Sequence, residues 1–190
     1  MKKIKLIFFV IIISIFTSCY DPPSRESQGL EYNSLLELIN TSDRILKLKR
    51  SDKEINFSVD EKKYISFQFV VLEKLKGSSS VDDEIFITIP EASLNELFIK
   101  GEKVEKFDTN FLQNEYVFFL MGRSRKNIFP NELGGSLWYK NGNPSIFQIK
   151  KNRIRIISPN NSLESLDRDF SEILEISELE FINLVKSLNE

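Results

Sequence analysis

Residues Tyr64 to Lys76 carry the strictest pattern in the chain: Ile65, Phe67, Phe69 and Val71 alternate with Ser66, Gln68 and Val70. A period of two puts successive side chains on opposite faces, so the stretch predicts a strand with one strongly apolar face. Leu72 and Leu75 continue the apolar pattern towards Gly77, and Gly77 to Ser80 predicts a turn. After the acidic run Asp82-Asp83-Glu84, Ile85, Ile87 and Ile89 alternate with Phe86 and Thr88 until Pro90 stops the pattern. The two segments predict an antiparallel hairpin with a loop longer than two residues.

Other elements flank this hairpin. Leu30 to Asn40 reads as a short helix through Leu35, Leu38 and Ile39, with Asn33 or Ser34 as its cap, Glu37 as the supporting acid and Asn40 to Asp43 as its end. Ile45, Leu46 and Leu48 begin a strand, and Arg50 to Glu54 predicts a charged loop. Leu94, Leu97 and Phe98 mark one helical turn, and Gly101 to Asp108 a charged connection. Tyr116 to Met121 is apolar on both faces, which places it either centrally in the barrel or beneath a helix. Arg123 to Asn127 predicts a basic loop, and the turns Gly134-Gly135 and Asn141-Gly142 bracket Leu137, Trp138 and Tyr139. Ser145 to Ile149 and Arg153 to Ile157 form a hairpin through Lys150-Lys151-Asn152. Leu163 to Leu174 carries a helical segment. Ser177 and Glu180 then form a capping box ahead of the stripe Phe181, Ile182, Val185 and Leu188. The fold class expected from this order is α+β: mainly an antiparallel β-barrel of five or six strands, with a short N-terminal helix and a C-terminal helix. Sixteen phenylalanines supply large apolar side chains for one core.

The chain opens on a different logic. Lys2, Lys3 and Lys5 precede an apolar run from Leu6 to Phe16, interrupted only by Ser14. Such a run makes roughly 16 Å of helix, short of the roughly 30 Å of a bilayer core. A charged start and a short apolar core read as a secretory signal. Its end, Phe16-Thr17-Ser18-Cys19, resembles the lipobox of bacterial lipoproteins: a large apolar residue, two small ones, then cysteine. The first position departs from the usual leucine. The resemblance implies cleavage between Ser18 and Cys19, a diacylglycerol on the Cys19 thiol, and lipid attachment at that residue. Two acyl chains hold a protein stably where one is marginal. The expected organisation is a signal peptide over residues 1–18, an acylated cysteine and Pro22-Pro23-stiffened tether over 19–29, and one globular domain over 30–190. Removing three lysines and no acid takes the formal charge from −2 to −5. That balance argues against a nucleic-acid partner, which needs clustered positive charge. With a single cysteine there is no internal disulfide.

A second resemblance covers Asp43 to Ile157. A strand ending in Glu73-Lys74-Leu75-Lys76-Gly77, an isoleucine-rich strand, and the strand Glu115-Tyr116-Val117-Phe118-Phe119-Leu120 are together similar to the netrin-like variant of the OB barrel. The metalloproteinase inhibitors of that fold act through an N-terminal cysteine locked by disulfides. This chain has no partner cysteine, so the resemblance implies the fold without that activity.

The chemistry on offer is narrow. The chain has no histidine, which removes Ser-His-Asp and Cys-His catalysis and any histidine metal ligand. Its one thiol is committed to the anchor, and no phosphate-binding loop or nucleophile elbow is present. Asp82-Asp83-Glu84 offers oxygen ligands for calcium but also fits a solvated turn. No metal, cofactor or catalytic residue is expected. Arg153 and Arg155 alternate with Ile154 and Ile156, as on a strand with one wet face or as a contact for anionic lipid or envelope polymer. Trp138 and Tyr139 serve either core packing or, as exposed aromatics, recognition. These four residues are the candidate binding surface.

The functional expectation is a membrane-anchored, extracytoplasmic lipoprotein of the bacterial envelope, a non-catalytic binding or interaction module. It would be held by acyl chains on Cys19 and meet an envelope protein or polymer. The alternatives are a carboxylate-dependent hydrolase of envelope glycans, which needs two positioned acids, and a purely structural lipoprotein.

Overall fold

The computed structural model describes residues 32–94, 97–99, 114–125, 130–133, 136–140, 142, 144–159 and 168–190. The expected signal segment, Cys19, the expected tether, the expected connection Gly101 to Asp108, and the expected turn residues Gly134, Gly135 and Asn141 lie outside these. Among the described residues the protein is mostly β, with a largely antiparallel sheet and flanking helices.

The first helix, α1 (Leu35–Thr41), starts where its cap chemistry dictates. Ser34 Oγ accepts from the Glu37 N–H, and the Glu37 carboxylate accepts from the Asn33 N–H, so two orphan donors are met. Leu35, Leu38 and Ile39 are buried. At its other end the Ile39 carbonyl accepts from Lys76 Nζ at 2.8 Å.

Strands β1 (Arg44–Val59) and β2 (Lys62–Lys76) form a long hairpin. Its tip, Asp60 and Glu61, has positive φ at both residues, the geometry of a tight two-residue turn. Strand β3 (Glu84–Pro90) pairs antiparallel with β2, as the alternation predicts. The charged segment Arg50 to Glu54 is not a loop. The strand runs through it with a register irregularity, and Ser51 Oγ bonds Gln68 Oε1 at 2.7 Å. Charge marked this segment as a loop, yet Asp52, Lys53 and Glu54 reach water and Arg50 turns inward while the backbone around the bulge stays paired.

A single helical turn, α2 (Glu91–Leu94), follows. Leu97 and Phe98, expected in that turn, belong instead to β4 (Leu97–Ile99), which pairs with the last strand. Strand β5 (Glu115–Arg125) takes in Arg123 to Arg125 of the expected basic loop because its distal half pairs with β6 (Ser136–Lys140), while Lys126 and Asn127 lie outside the described residues. Its proximal half pairs with β1 on one edge and with β7 (Ile146–Lys150) on the other. The expected hairpin of β7 and β8 (Arg153–Pro159) turns at Lys151 and Asn152, both with positive φ. Helix α3 (Arg168–Ile173) falls within the expected segment, whose residues 163–167 are outside the description. Helix α4 (Glu178–Ser187) carries the expected capping box: Ser177 and Glu180 bond each other's backbone N–H. The sheet order is β1-β2-β3-β6-β5-β7-β8-β4, with a further β1–β5 pairing. Among the described residues all pairings between these strands are antiparallel except one parallel bridge, Ile87 to Trp138.

Strand alternation sends side chains into two cores. Ile45, Val117, Phe119, Phe147, Ile149, Ile154 and Ile156 pack beneath the helices against Leu38, Phe170, Phe181 and Val185. On the other face, Leu46, Leu48, Phe67, Phe69, Val71, Ile85, Ile87, Tyr116, Phe118 and Leu120 pack against one another. The doubly apolar β5 is therefore both central and helix-covered. Among the described residues no helix is long and apolar enough to cross a membrane.

Candidate functional site

The strand-lined core ends in a polar patch that register alone predicts once the pairings are known. Cross-strand partners put Leu48 beside Tyr116, Tyr116 beside Gln148, and Gln148 beside Arg155. Two positions further along each strand, alternation returns Arg50, Asn114, Lys150 and Arg153 to the same face. Lys150 and Arg153 are themselves paired. The apolar core therefore gives way to a phenol, two amides and several cations.

Burial grades across this patch. Lys150 and Arg153 are exposed, Arg155 is half-buried, and Tyr116, Gln148 and Arg50 are buried. The Arg50 guanidinium lies 4.0 Å over the Phe67 ring and meets Glu54 Oε2 at 3.2 Å. Burial lowers its pKa, with Glu54 acting the other way, and a guanidinium still stays charged at neutral pH. Burial pushes the Tyr116 phenol well above its ordinary range, against hydrogen bonds from Gln148 and Asn114. Among the described residues two buried side-chain polar atoms have no hydrogen-bond partner: Arg50 Nε, a donor, and Gln148 Oε1, an acceptor. Unmet buried groups of this kind cost about 1–3 kcal/mol each.

The expected binding residues do not converge. Trp138 on β6 is half-buried against the strand-lined core, with the Arg44 guanidinium 4.0 Å over its ring. Arg44 is held there by Ser79 Oγ at 2.6 Å. Tyr139 pairs through its backbone with Met121. Trp138 faces Arg123 of β5, whereas Arg155 shares the row of Tyr116 through Gln148. Seven residues of strand, roughly 23 Å, separate the two positions on β5. Arg153 and Arg155 therefore belong to the polar patch, and Trp138 closes the opposite end of the core.

The acidic run is a turn. Asp83 Oδ2 accepts from the Ser80 N–H at 2.7 Å, Glu84 Oε2 accepts from Gln68 Nε2 at 2.8 Å, and Asp82 has positive φ. Among the described residues no three His, Cys, Asp or Glu side chains are grouped to hold a metal ion. The buried polar side chains among them are hydroxyls, amides and the Arg50 guanidinium, groups that bind by hydrogen bonding and do not exchange protons near neutral pH.

Arg50, Tyr116 and Gln148 escaped the sequence reading. Arg50 lay inside the supposed loop, and Tyr116 counted as one more core aromatic. The usable signals were Arg50 keeping the even spacing of Leu46 and Leu48, and an amide, Gln148, set between Phe147 and Ile149.

No protein-family model, curated protein or solved structure gives a significant match to the chain.

Proposed function

We propose that this chain is a membrane-anchored extracytoplasmic lipoprotein whose single domain is a non-catalytic binding or interaction module of the bacterial envelope. The observation that carries the anchoring is Phe16-Thr17-Ser18-Cys19, with the one cysteine of the chain placed directly after a short apolar run and two small residues. The membrane is the first partner, through acyl chains on Cys19, and an envelope protein or polymer is the second. The binding reading draws support from a described interior whose polar groups are amides, hydroxyls and a guanidinium.

The domain is read as an OB-type, netrin-like barrel. Its support is the path of pairings: β1 to β2, β2 to β3, β3 by one parallel bridge to β6, β6 to β5, and β5 back to β1. The metalloproteinase-inhibiting activity of that fold is not carried over, since the chain has no second cysteine.

Metabolic labelling with an alkyne fatty acid in a bacterial host tests the anchor. The wild-type protein takes up label and sediments with membranes. Cys19→Ala loses the label and keeps its signal segment. An alanine variant that is labelled or normally processed overturns the reading.

A further inference from the structure

We propose that the outer edge of β1, from Glu54 to Val59, is the interface through which two copies of this chain pair, strand against strand, about a two-fold axis. The inference goes beyond the binding-module reading and does not depend on acylation of Cys19.

The first observation is an open edge. Arg44 to Lys49 of β1 pair with β5 on one side, while β2 runs along the other side as far as Val59. Beyond Lys49 the β5 pairing ends, and among the described residues no strand takes that edge from Glu54 to Val59. The segment is strand throughout. Such an edge leaves the N–H and C=O of alternate residues for water or another strand.

The second observation is that this edge lacks the usual protection. Ile55-Asn56-Phe57-Ser58-Val59 carries no charge and no proline, two devices that keep exposed edges apart. Ile55, Phe57 and Val59 are half-buried around Leu133 and Phe86, and Phe57 stacks on Tyr64 at 5.5 Å. Asn56 and Ser58, on the other face, are exposed.

The third observation is self-complementarity. Antiparallel pairing sets outward-bonding residues opposite one another, so odd positions of one copy meet odd positions of the other. With the axis at Phe57, Ile55 meets Val59, Phe57 meets Phe57 and Asn56 meets Ser58, which joins the two apolar rows. The flanks then bring Lys53 towards Glu61 and Asp52 towards Lys62 of the second copy. Glu54 comes near Asp60, but Arg50 already meets its carboxylate at 3.2 Å. An axis at Asn56 would instead set Asp52 against Asp60 and Lys53 against Val59, so charge selects the Phe57 register. A second copy carries this matching pattern by construction, and a two-fold pair closes both edges and stops at two.

The test follows the full-length protein in detergent by sedimentation over a range of concentrations. We expect a monomer–dimer equilibrium, the same in Cys19→Ala. Asn56→Lys with Ser58→Lys sets like charges opposite each other and should weaken the dimer at least about tenfold. Its thermal melt should be unchanged, because both positions are exposed. Lys53→Glu should also weaken the dimer, and adding Glu61→Lys should restore it. In the Cys19→Ala background, Phe57→Cys should form an intermolecular disulfide on oxidation, since opposed residues lie about 4.5–5.5 Å apart. Val81→Cys, at an exposed position in the turn before β3, should not. A monomer at every concentration, the result expected if the edge serves another protein's strand, overturns the interface. So do association that survives the double lysine variant, an open-ended polymer, or equal linking at Val81→Cys. Loss of fatty-acid labelling with dimerisation intact would count against the anchor alone.

Discussion

Arg50 lays its guanidinium 4.0 Å above the ring of Phe67, closing one end of the strand-lined core with a charge. Six residues earlier on the same face of β1, Arg44 covers Trp138 at the same distance at the other end. Between them Leu46 and Leu48 are fully buried. The strand thus presents an apolar centre capped at both ends by arginines whose stems pack on aromatics. Arg50→Ala should destabilise the protein by about 2 kcal/mol, the scale of a desolvated cation–π contact. Arg50→Met should cost less, because it keeps apolar cover on Phe67 and removes the unpartnered Nε. Urea midpoints of the two variants check the order.

Phe147 sits where sheet and helices meet. Its ring lies 5.2 Å from those of Phe119 and Phe181 and 6.5 Å from that of Phe170, and it is fully buried. Phe147→Ala should cost about 3–5 kcal/mol, because two strands and two helices would share the cavity. Leu179→Ala, on an exposed position of α4, should change stability by less than about 0.5 kcal/mol. Chemical denaturation of both proteins measures the contrast.

Lys47 ties α4 to the sheet. Its Nζ lies 2.7 Å from Glu115 and 2.6 Å from Glu178. Partial burial alone would lower its pKa, but the two carboxylates outweigh that and raise it above 10.5. Lys47 therefore holds its proton more tightly when folded. The stabilisation is complete below the unfolded value near 10.5 and fades as pH climbs through the raised folded one. Urea midpoints taken between about pH 8 and pH 11.5 should fall at the alkaline end in wild type, and Lys47→Met should flatten that limb.

Gly77 and Gly122 both have positive φ, at 92° and 71°. A Cβ on Gly77 would meet Arg44 Cγ at 2.8 Å and the Asp43 carbonyl at 3.0 Å, while a Cβ on Gly122 meets nothing within 4 Å. Gly122→Ala should cost about 1–2 kcal/mol from handedness alone. Gly77→Ala should cost more, since it also displaces Arg44 from Trp138. Thermal melts of the two variants test the ranking, and tryptophan fluorescence should shift only for Gly77→Ala.

Much of the fold was written locally. The alternation from Ile65 to Val71 specified β2 without help from the rest of the chain, because two faces of different polarity suit only a period of two. Ser177 and Glu180 specified the start of α4, because a capping box satisfies its donors within four residues. Arg50 to Glu54 and Arg123 to Arg125 were misread for one shared reason. Their charges suggested solvent, but their backbones are bonded to strands distant in sequence. Leu97 and Phe98 had helical spacing and became a strand because β8 offered an edge to pair with.

The candidate site divides the same way. Arg153 and Arg155 were visible as a basic alternation, and the proposed anchor at Cys19 rests on a local motif alone. Arg50, Tyr116 and Gln148 come from three separate strands and became one patch only through cross-strand register. By itself the sequence determined strand periods and helix caps, both set by contacts within a few residues. Only the tertiary structure decided which strands pair, which polar side chains are buried together, and that Trp138 stands apart from Arg155. Those outcomes depend on hydrogen bonds and packing between segments far apart in the chain, and no local pattern encodes them.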